Sequence, residues 1–413
     1  MTPPPASLII VSRHRKAALM RALVAVAQMD HPSFEVIVVA DPEAACAVRE
    51  SGLRLKLAEF DQPNISAARN IGLALASAPV VAFLDDDAVP EPTWLSRLVA
   101  PFADPRVTAA GGFVLGRSGL SWQWRAAWVD GDGFDTAFDA PPGVSLHQGC
   151  GERAIKTQGT NCAFRRDDLL AIGGFDPGFA FYLDEADVNL RLASKGGLTA
   201  VVSEAVVHHG YAASARRRAD RAPTDITQIG HSLARFTARH GLKTTALERH
   251  ISGQRARLLQ HMLTGALEPR DVRNLMAGLE NGIASAQVAE ARPQRRLTAI
   301  TPTILPFIAL PGTRPRTGRF LFGTASEREE LQAVARDAVA QGEIVTVITL
   351  SRGLRPHRHT FNAAGWWEQS GGRFGRSFRG VTRFNWQNAD ARRAEEAARL
   401  SHYRSLEPKN LEN

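Results

Sequence analysis

Val80-Val81-Ala82-Phe83-Leu84-Asp85-Asp86-Asp87 is a run of five apolar residues that ends in three consecutive carboxylates. The apolar part is typical of a strand buried on both faces of a parallel sheet, because such strands lack the alternation of half-buried ones. Ligands of open α/β sheets bind beyond the carboxyl ends of the strands, where these acids are expected to lie. Adjacent carboxylates repel one another unless a cation neutralises them. The stretch therefore predicts a site for Mg²⁺ or Mn²⁺, which accept oxygen ligands, or alternatively a solvated acidic turn before a helix.

Length and composition indicate a globular protein with more than one domain. The chain has 413 residues, of which 44% are hydrophobic and 22% charged, which predicts two or three domains. It contains no apolar run of about 18 residues or more and no recognisable signal peptide, so a cytoplasmic protein is expected. Three cysteines without metal-ligand spacing exclude a disulfide scaffold. The net charge of +8 indicates attraction to polyanions such as a membrane surface, nucleic acid or an anionic glycan.

The residues before the acidic stretch predict the start of a parallel sheet. Residues 7–11 and 34–39 are β-branched runs separated by a helical pattern, which together make a βαβ unit with a right-handed crossover. The second run ends at Asp41, another acid at the carboxyl end of a strand. Asn64 or Ser66 is then placed to cap a helix that leads into the acidic strand.

The order of these pieces resembles family 2 glycosyltransferases, which are nucleotide-sugar enzymes with the GT-A fold. No single motif is specific, but the set is specific in this order and spacing. The motifs that carry the resemblance are residues 7–13, 36–41, 64–72, 79–87, 90–95, 159–166 and 172–176.

The resemblance implies that Asp85 to Asp87 is the DxD site of the family, which holds a metal on the diphosphate of the donor. Asp85 and Asp87 are then the expected metal ligands, with Mn²⁺ or Mg²⁺ as the cofactor. Arg69 is expected near the nucleotide or diphosphate, and its alternative is an arginine on a helix surface. Asp41 is expected near the uracil or ribose, but Ala40 stands where the family usually has a first acid, which leaves the nucleotide open. The full set of expected nucleotide-sugar contacts is Ser12, Arg13, Asp41, Asn64, Arg69, Asp85 and Asp86.

A second acidic motif, Asp184-Glu185-Ala186-Asp187, opens a predicted helix. Its acids suit the positive end of the helix dipole, and Asp184, Asp187 and Arg191 share one helix face, which is a structural explanation for them. The resemblance implies instead that one carboxylate takes a proton from the acceptor hydroxyl as that hydroxyl attacks the anomeric carbon. Matched position by position, this base is Glu185, with Asp184 as the alternative. Asp187 completes the predicted catalytic set.

Two histidines follow the last predicted strand of this domain. GT-A enzymes often bring a histidine from here to the metal, so the resemblance implies that His208 or His209 is a ligand. An imidazole beside two carboxylates is acceptable to Mn²⁺. The alternative is a structural role for both.

Residues 118–157 form a long segment without clear periodicity, which is usually functional or mobile. Its aromatic residues are interspersed with acids. Trp122, Trp124 and Trp128 are therefore predicted to contact the acceptor sugar, or alternatively to anchor a surface flap.

The predicted fold class is α/β: a Rossmann-like, mostly parallel GT-A sheet flanked by helices, then a helical segment and a small α+β extension. The corresponding domains are residues 1–215, residues 216–295 and a basic extension of residues 296–413. Residues 351–393 interleave arginines with aromatic residues, a pattern that suits phosphates and stacked rings. This tail is expected either to hold the enzyme at an anionic membrane surface or to pack as a cap through intramolecular ion pairs. Nucleic acid is not the expected partner.

The resemblance implies an inverting glycosyltransferase that moves a sugar from a UDP-linked donor to a hydroxyl of a glycan or lipid-linked acceptor. Such an enzyme would take part in polysaccharide biosynthesis. One alternative is a metal-dependent nucleotidyltransferase or phosphotransferase, but the glycine-rich phosphate loop expected after its first strand is missing from residues 12–17. The other alternative is a degenerate, non-catalytic protein that binds polyanions or glycans, although such a protein would be expected to have lost the acids.

Overall fold

The computed structural model describes residues 3–210, 216–290, 297–311 and 316–404. The strands are β1 (Ala6–Ser12), β2 (Phe34–Ala40), β3 (Lys56–Glu59), β4 (Val80–Asp85), β5 (Ala88–Pro90), β6 (Val107–Leu115), β7 (Trp122–Trp124), β8 (Ala127–Asp130), β9 (Asp135–Ala137), β10 (Val144–Gln148), β11 (Arg153–Ile155), β12 (Cys162–Arg165), β13 (Leu198–His209), β14 (Gly318–Gly323), β15 (Ile344–Ser351), β16 (Arg358–Phe361) and β17 (Trp367–Gly372). The helices are α1 (Lys16–Val26), α2 (Pro42–Glu50), α3 (Ile65–Leu75), α4 (Trp94–Val99), α5 (Arg166–Ala171), α6 (Asp184–Ala193), α7 (Thr227–His240), α8 (Ala246–Leu263), α9 (Pro269–Glu290), α10 (Arg328–Ala340) and α11 (Ala389–Arg404). Short 3₁₀ helices cover Ala100–Ala103 and Ala325–Glu327.

A central sheet runs in the order β10-β13-β6-β12-β4-β1-β2-β3, with β5 and β7 paired to β13 and β6 at its edge. Strands β4, β1, β2 and β3 are mutually parallel, whereas β12 lies antiparallel between β4 and β6. The carboxyl ends of β1, β2 and β4 therefore meet at one edge of the sheet. The predicted α/β class with a parallel-dominated sheet is confirmed.

Helices cover both faces of this sheet because its central strands are apolar on both faces. Val80, Ala82 and Leu84 of β4 pack in the layer that holds α1, α2 and α4. Val81 and Phe83 pack in the opposite layer, which holds α3, α5 and α6. The continuous hydrophobic run that opened the sequence is therefore buried from both sides.

Residues 118–157 are not the irregular segment that the sequence predicts. They form β7 to β11, and β11, β8 and β9 make a separate small sheet. Each of these strands is only three to five residues long. Alternation over so few residues gives no readable period, which explains the wrong expectation.

The predicted helical segment consists of α7, α8 and α9, which share an apolar core with α6. Helices α7 and α9 cross at two glycines: a Cβ at Gly230 would overlap the backbone of Leu279, and one at Gly282 would overlap that of Thr227. The predicted domain limits at residues 215 and 295 lie outside the described residues. Nowhere in the described parts of the chain is a helix both long and apolar enough to cross a bilayer.

The C-terminal extension contains a four-stranded sheet in the order β14-β15-β17-β16. Helix α10 packs on one face of this sheet and α11 on the other. The small αβ element predicted from the helix at 327–340 and the strand at 343–350 is present. Residues 297–311 connect it to the helical segment and lie along the central sheet, where the Leu310 amide donates to the Phe34 carbonyl at 2.9 Å.

Candidate active site

The three acids Asp85 to Asp87 lie at the carboxyl end of β4, beside the end of β1, as the sequence predicts. Asp85 is the last residue of β4 and is in register with Val11 of β1. The chain then turns at once into β5, whose pairing with the end of β13 places Ala88 opposite His209. This turn brings a histidine from a distant strand to the acids.

Asp85, Asp87 and His209 form a compact group of potential metal ligands. Their ligand atoms all lie within 4.8 Å of one another. The Nε2 atom of His209 is 3.1 Å from Oδ1 of Asp87 and 3.9 Å from Oδ2 of Asp85. Although burial favours the neutral imidazole, the hydrogen bond and charge of Asp87 raise the pKa of His209. Two carboxylates and an imidazole are a donor set that fits Mn²⁺.

His208, the other predicted ligand, lies outside this group. Neighbouring residues of a strand point to opposite faces, and the Nε2 atom of His208 is 2.9 Å from Oε1 of Glu91. Its ring packs 4.9 Å from that of Trp367 in the C-terminal extension. Of the two predicted histidines, His209 therefore lies beside Asp85 and Asp87, whereas His208 contacts Glu91 and Trp367.

Asp86 turns inward and is held by β1 and the loop after it. The Ser12 hydroxyl donates to Oδ2 of Asp86 at 2.7 Å, and an Arg15 Nη atom lies 2.8 Å from Oδ1. Arg15 also reaches Asp87 at 3.3 Å. Burial raises the pKa of Asp86 to about 7 despite Arg15. The sequence analysis did not predict the role of Arg15. Its position indicated one, because a basic residue in the loop after β1 lies close to the acids that follow the neighbouring strand β4.

Three residues that are predicted to contact the donor lie in or beside the loops around the pocket. Asp41 caps α2 and accepts from the amides of Ala44 at 3.2 Å and His14 at 2.7 Å. Asn64 caps α3, as expected. Arg13 lies at the exposed rim.

Arg69 joins the two acidic motifs. This buried side chain of α3 places Nη1 against Asp184 and 3.0 Å from Oε1 of Glu185, while Nη2 is 3.7 Å from Oδ1 of Asp85. Its guanidinium carbon lies 5.2 Å from the centre of the Phe175 ring. The alternative of a surface arginine is therefore wrong. One cation holds the acids of β4 and the acids of α6 in a single pocket.

Asp184 and Glu185 share this cation but differ in their proton affinity. Burial, followed by the charge of Glu185, raises the pKa of Asp184 well above its usual range. Burial acts in the same direction on Glu185, but Arg69 and a hydrogen bond with Asp184 outweigh it and lower the pKa of Glu185. Of the two carboxyl groups, Glu185 is therefore the stronger acid.

The turn before α6 is conformationally constrained. Tyr182 and Leu183 both adopt left-handed backbone conformations, with φ of 77° and 65°. Such conformations cost about 1–3 kcal/mol each in residues other than glycine and cluster at functional sites. Across the pocket, Gly159 leaves room for Arg69 and Glu185, because a Cβ there would overlap both side chains.

Asp187 does not belong to the pocket, contrary to the prediction. Its two oxygens face Arg191 at 2.7 Å, Arg239 at 2.9 Å and His240 at 2.9 Å. Burial alone would raise the pKa of Asp187, but the charges of Arg191 and Arg239 and the hydrogen bond with His240 hold it well below its usual range. This carboxylate ties α6 to α7, which is the structural explanation that its helical spacing allowed.

The predicted tryptophans have separate surroundings. Trp122 packs edge-on between Phe113 and Phe378, each 5.3 Å away, so it contributes to the junction with the C-terminal extension. Trp124 faces Lys156, and Trp128 lies under Arg153. None of these described contacts involves the acidic pocket.

Strand β7 nevertheless contributes to the site through Gln123, which the sequence analysis missed. Its Oε1 atom is 3.0 Å from Nδ1 of His209. An acceptor here fixes the ring orientation that directs Nε2 of His209 toward Asp85 and Asp87.

The C-terminal extension also reaches the site through a buried ion pair. Two guanidinium nitrogens of Arg404, on α11, lie 2.9 Å and 3.0 Å from the carboxylate of Glu91, just beyond β5. Although burial acts in the opposite direction, Arg404 and His208 hold the pKa of Glu91 far below its usual range. Arg404 thus links the extension to the loop that follows the metal-ligand candidates.

Comparisons with known proteins identify a family match and several relatives. Residues 7–172 match the family model of glycosyl transferase family 2. An O-antigen biosynthesis protein, RfbC of Myxococcus xanthus, is 28% identical over 240 residues, which cover 52% of this chain and 18% of that protein. A glucosyl-dolichyl phosphate glucuronosyltransferase of Haloferax volcanii is 33% identical over 114 residues, which cover 27% of this chain and 34% of that protein.

The chain therefore covers about a third or less of the length of these relatives. Among solved structures, GalNAc-T7 with UDP, GalNAc and Mn²⁺ gives a TM-score of 0.43 at 17% identity, over 57% of this chain and 48% of that one. The family match spans the strands and helices that build the acidic pocket up to α5. Residues 7–172 of this chain are therefore similar to glycosyl transferase family 2.

Proposed function

We propose that this protein transfers a sugar from a UDP-linked donor to a hydroxyl of a glycan or lipid-linked acceptor, with inversion at the anomeric carbon. The observation that carries the proposal is the position of Arg69, which contacts Asp85 on one side and Asp184 and Glu185 on the other. Donor-side and acceptor-side acids therefore line one pocket, as a single displacement requires.

On the donor side, Asp85, Asp87 and His209 would hold Mn²⁺ or Mg²⁺. Such an ion supplies positive charge to the diphosphate leaving group. Arg15 lies next to the same acids and adds a guanidinium, which is suited to phosphate oxygens. Asp86 keeps Arg15 in place from beneath.

On the acceptor side, Glu185 is the proposed base. Its side chain is partly exposed, whereas that of Asp184 is almost fully buried. Arg69 favours the ionised form of Glu185, which can accept the proton of the acceptor hydroxyl as the new C–O bond forms. Attack opposite the departing diphosphate gives inversion. The raised pKa of Asp184 favours its protonated form, which would donate a hydrogen bond that orients Glu185.

The names of the relatives support a proposal for the class of acceptor. One relative is named for O-antigen biosynthesis and the other acts on a glucosyl-dolichyl phosphate. Both names concern glycans, and the second concerns a lipid-linked glycan. We therefore propose a glycan hydroxyl, presented on a lipid carrier, as the attacking group.

A donor panel tests the proposal. UDP-, GDP- and dTDP-sugars are titrated by calorimetry with and without Mn²⁺, and the anomeric configuration of the product made from the best donor is read by NMR. We expect a UDP-sugar to bind only with the metal and its configuration to invert. Binding of no nucleotide sugar would contradict the proposed function, and a retained configuration would contradict Glu185 as the base.

A further inference from the structure

The basic tail divides into two sets of arginines with different surroundings. On α11, Arg392 and Arg399 pair with Glu396 at 2.9 Å and 2.7 Å, and Arg404 pairs with Glu91. These arginines hold the extension together and attach it to the catalytic domain. For α11, the expectation of a packed cap therefore describes the structure.

The second set is the seven arginines between residues 351 and 388, a stretch that contains a single acid, Glu368. That acid pairs with Arg328 of α10 at 2.6 Å. Among the residues that the structure describes, no carboxylate lies within 4.0 Å of a guanidinium nitrogen of any of the seven. Within the part of the chain that the structure describes, positive charge is thus concentrated on this stretch.

Backbone hydrogen bonds bring three parts of this stretch side by side. The Arg373 amide donates to the Ser351 carbonyl at 2.8 Å, and the Gly372 amide to the Arg355 carbonyl at 2.8 Å. The Asn385 amide donates to the Phe374 carbonyl at 3.0 Å. Residues 351–355, 372–376 and 381–386 therefore form one surface, which we name the arginine–tryptophan face.

Apolar side chains on this face are exposed to solvent. Trp386 is 72% exposed, Leu354 46%, Val381 44% and Phe384 38%. The Trp386 ring packs 5.1 Å from that of Phe374 although most of it is exposed. Exposure of this much apolar surface among unpaired arginines marks an interaction surface.

We propose that the arginine–tryptophan face docks reversibly on a bilayer that contains anionic phospholipids. Guanidinium groups match lipid phosphates in geometry and charge. Tryptophan favours the headgroup level, where its ring is buried and its N–H stays hydrated. Exposed Leu354 and Val381 favour lipid over single-stranded nucleic acid, because aliphatic side chains enter the acyl boundary but cannot stack on bases.

The proposal goes beyond the proposed sugar transfer and stands on separate residues. It places the catalytic domain beside a membrane through the buried contact of Arg404 with Glu91. Donor binding is expected to be the same with and without vesicles, because no residue of the face touches the acidic pocket in the described contacts.

Co-sedimentation of the full chain with vesicles tests the docking. Vesicles of phosphatidylcholine alone are compared with vesicles that contain phosphatidylglycerol as well, at low salt and at about 0.5 M salt, where the Debye length shortens to a few ångströms. The triple variant R352Q/R355Q/R383Q removes three charges from the face. Each basic residue near an anionic surface contributes about fivefold to binding, so the triple variant should bind about a hundredfold more weakly.

The matched control is R255Q/R270Q/R273Q, which removes the same charge from exposed positions on α8 and α9. It should bind the anionic vesicles within about threefold of the parent, since the charge it removes lies outside the face. Equal losses in both triple variants would show attraction by net charge alone and overturn the proposal. Equal binding to neutral and anionic vesicles would overturn it as well.

Insertion of Trp386 into the bilayer can be measured separately by fluorescence quenching. Lipids brominated on the acyl chains should quench tryptophan emission on binding, and W386F should still bind but lose most of that quenching. Unchanged quenching in W386F would place another surface at the membrane. Preferential binding of the face to single-stranded RNA, with displacement from vesicles by that RNA, would identify nucleic acid as the partner and contradict the lipid proposal.

Discussion

Substitution of Gly159 by alanine should separate the proposed base from its partner without disturbing the metal-ligand group. The added Cβ would overlap Nη2 of Arg69 and Oε1 of Glu185. The backbone of Gly159 lies outside the left-handed region, so alanine adopts it without strain. Arg69 is buried against Phe175 and held by three acids, whereas Glu185 ends in a flexible, partly exposed side chain. Glu185 is therefore the group that moves.

The expected loss of turnover is larger than the loss of stability, because the overlap involves only the far ends of the Arg69 and Glu185 side chains and that of Glu185 can yield. A displacement of about 1 Å at a reacting group costs about 10²-fold in turnover. Overpacking costs about 1–3 kcal/mol, and the lower value applies where a flexible side chain yields. The assay is kcat with the donor chosen by the panel, together with denaturant unfolding and Mn²⁺ titration.

Gly151→Ala is the control, because its Cβ would lie 3.7 Å from Ser194, an ordinary contact. It should leave kcat unchanged. Turnover of Gly159→Ala within twofold of the parent would refute the role given to the contact of Arg69 with Glu185. A parallel loss of Mn²⁺ affinity would show instead that the whole pocket had collapsed.

Glu185→Gln should keep donor affinity and lose turnover. If that variant instead retained turnover and Asp184→Asn lost it, the base would be Asp184. Asp187→Asn should lower the melting temperature, since breaking a buried ion pair costs about 3–5 kcal/mol. The kcat per folded molecule should stay unchanged. A loss of kcat without a loss of stability would show that Asp187 belongs to the catalytic set. Arg404→Met should destabilise the fold by a similar amount, because Glu91 then stays buried with His208 as its remaining partner. An unfolding free energy equal to that of the parent would contradict the link between Arg404 and Glu91. The depressed pKa of Glu91 means that its stabilisation is complete above about pH 4.5, the ordinary value, and is lost as the pH falls toward the folded pKa; acid unfolding that is the same in the parent and in Arg404→Met would argue against this pair as its source.

Local patterns in the sequence were sufficient to predict the strand that ends in Asp85 and the helix that begins at Asp184. Both depend on short runs of residues: an apolar strand followed by acids, and acids at a helix N-terminus. The parallel sheet then places their ends at one edge, so the pocket itself was predictable. Arg69 was assigned to the donor side, and its bridge to Glu185 depends on how α3 and α6 pack.

Contacts between distant parts of the chain could not be predicted in this way. Arg404 meets Glu91 across 313 residues, and Gln123 reaches His209 only because β7 pairs with β6. The choice between His208 and His209 depends on which face of β13 each one occupies. Asp187 has the same spacing as a catalytic acid, and only the cations contributed by α7 show its structural role.

Residues 351–393 show a related limit, because composition alone does not tell paired arginines from unpaired ones. Arg392 and Arg383 are equivalent in sequence terms, yet one is buried against Glu396 and the other is exposed. Helix α11 supplies its own acids at helical spacing, whereas the loops around β16 and β17 have almost none. The fold therefore separates two sets of arginines that the sequence does not distinguish.

The central claim is a metal-dependent nucleotide site at Asp85, Asp87 and His209. Its most direct test is titration of Mn²⁺ in the presence of UDP, with free Mn²⁺ followed by electron paramagnetic resonance. We predict one Mn²⁺ per chain in the parent and in His208→Ala, and loss of that Mn²⁺ in Asp87→Ala and His209→Ala. Stoichiometric binding that survives in both Asp87→Ala and His209→Ala would contradict the account.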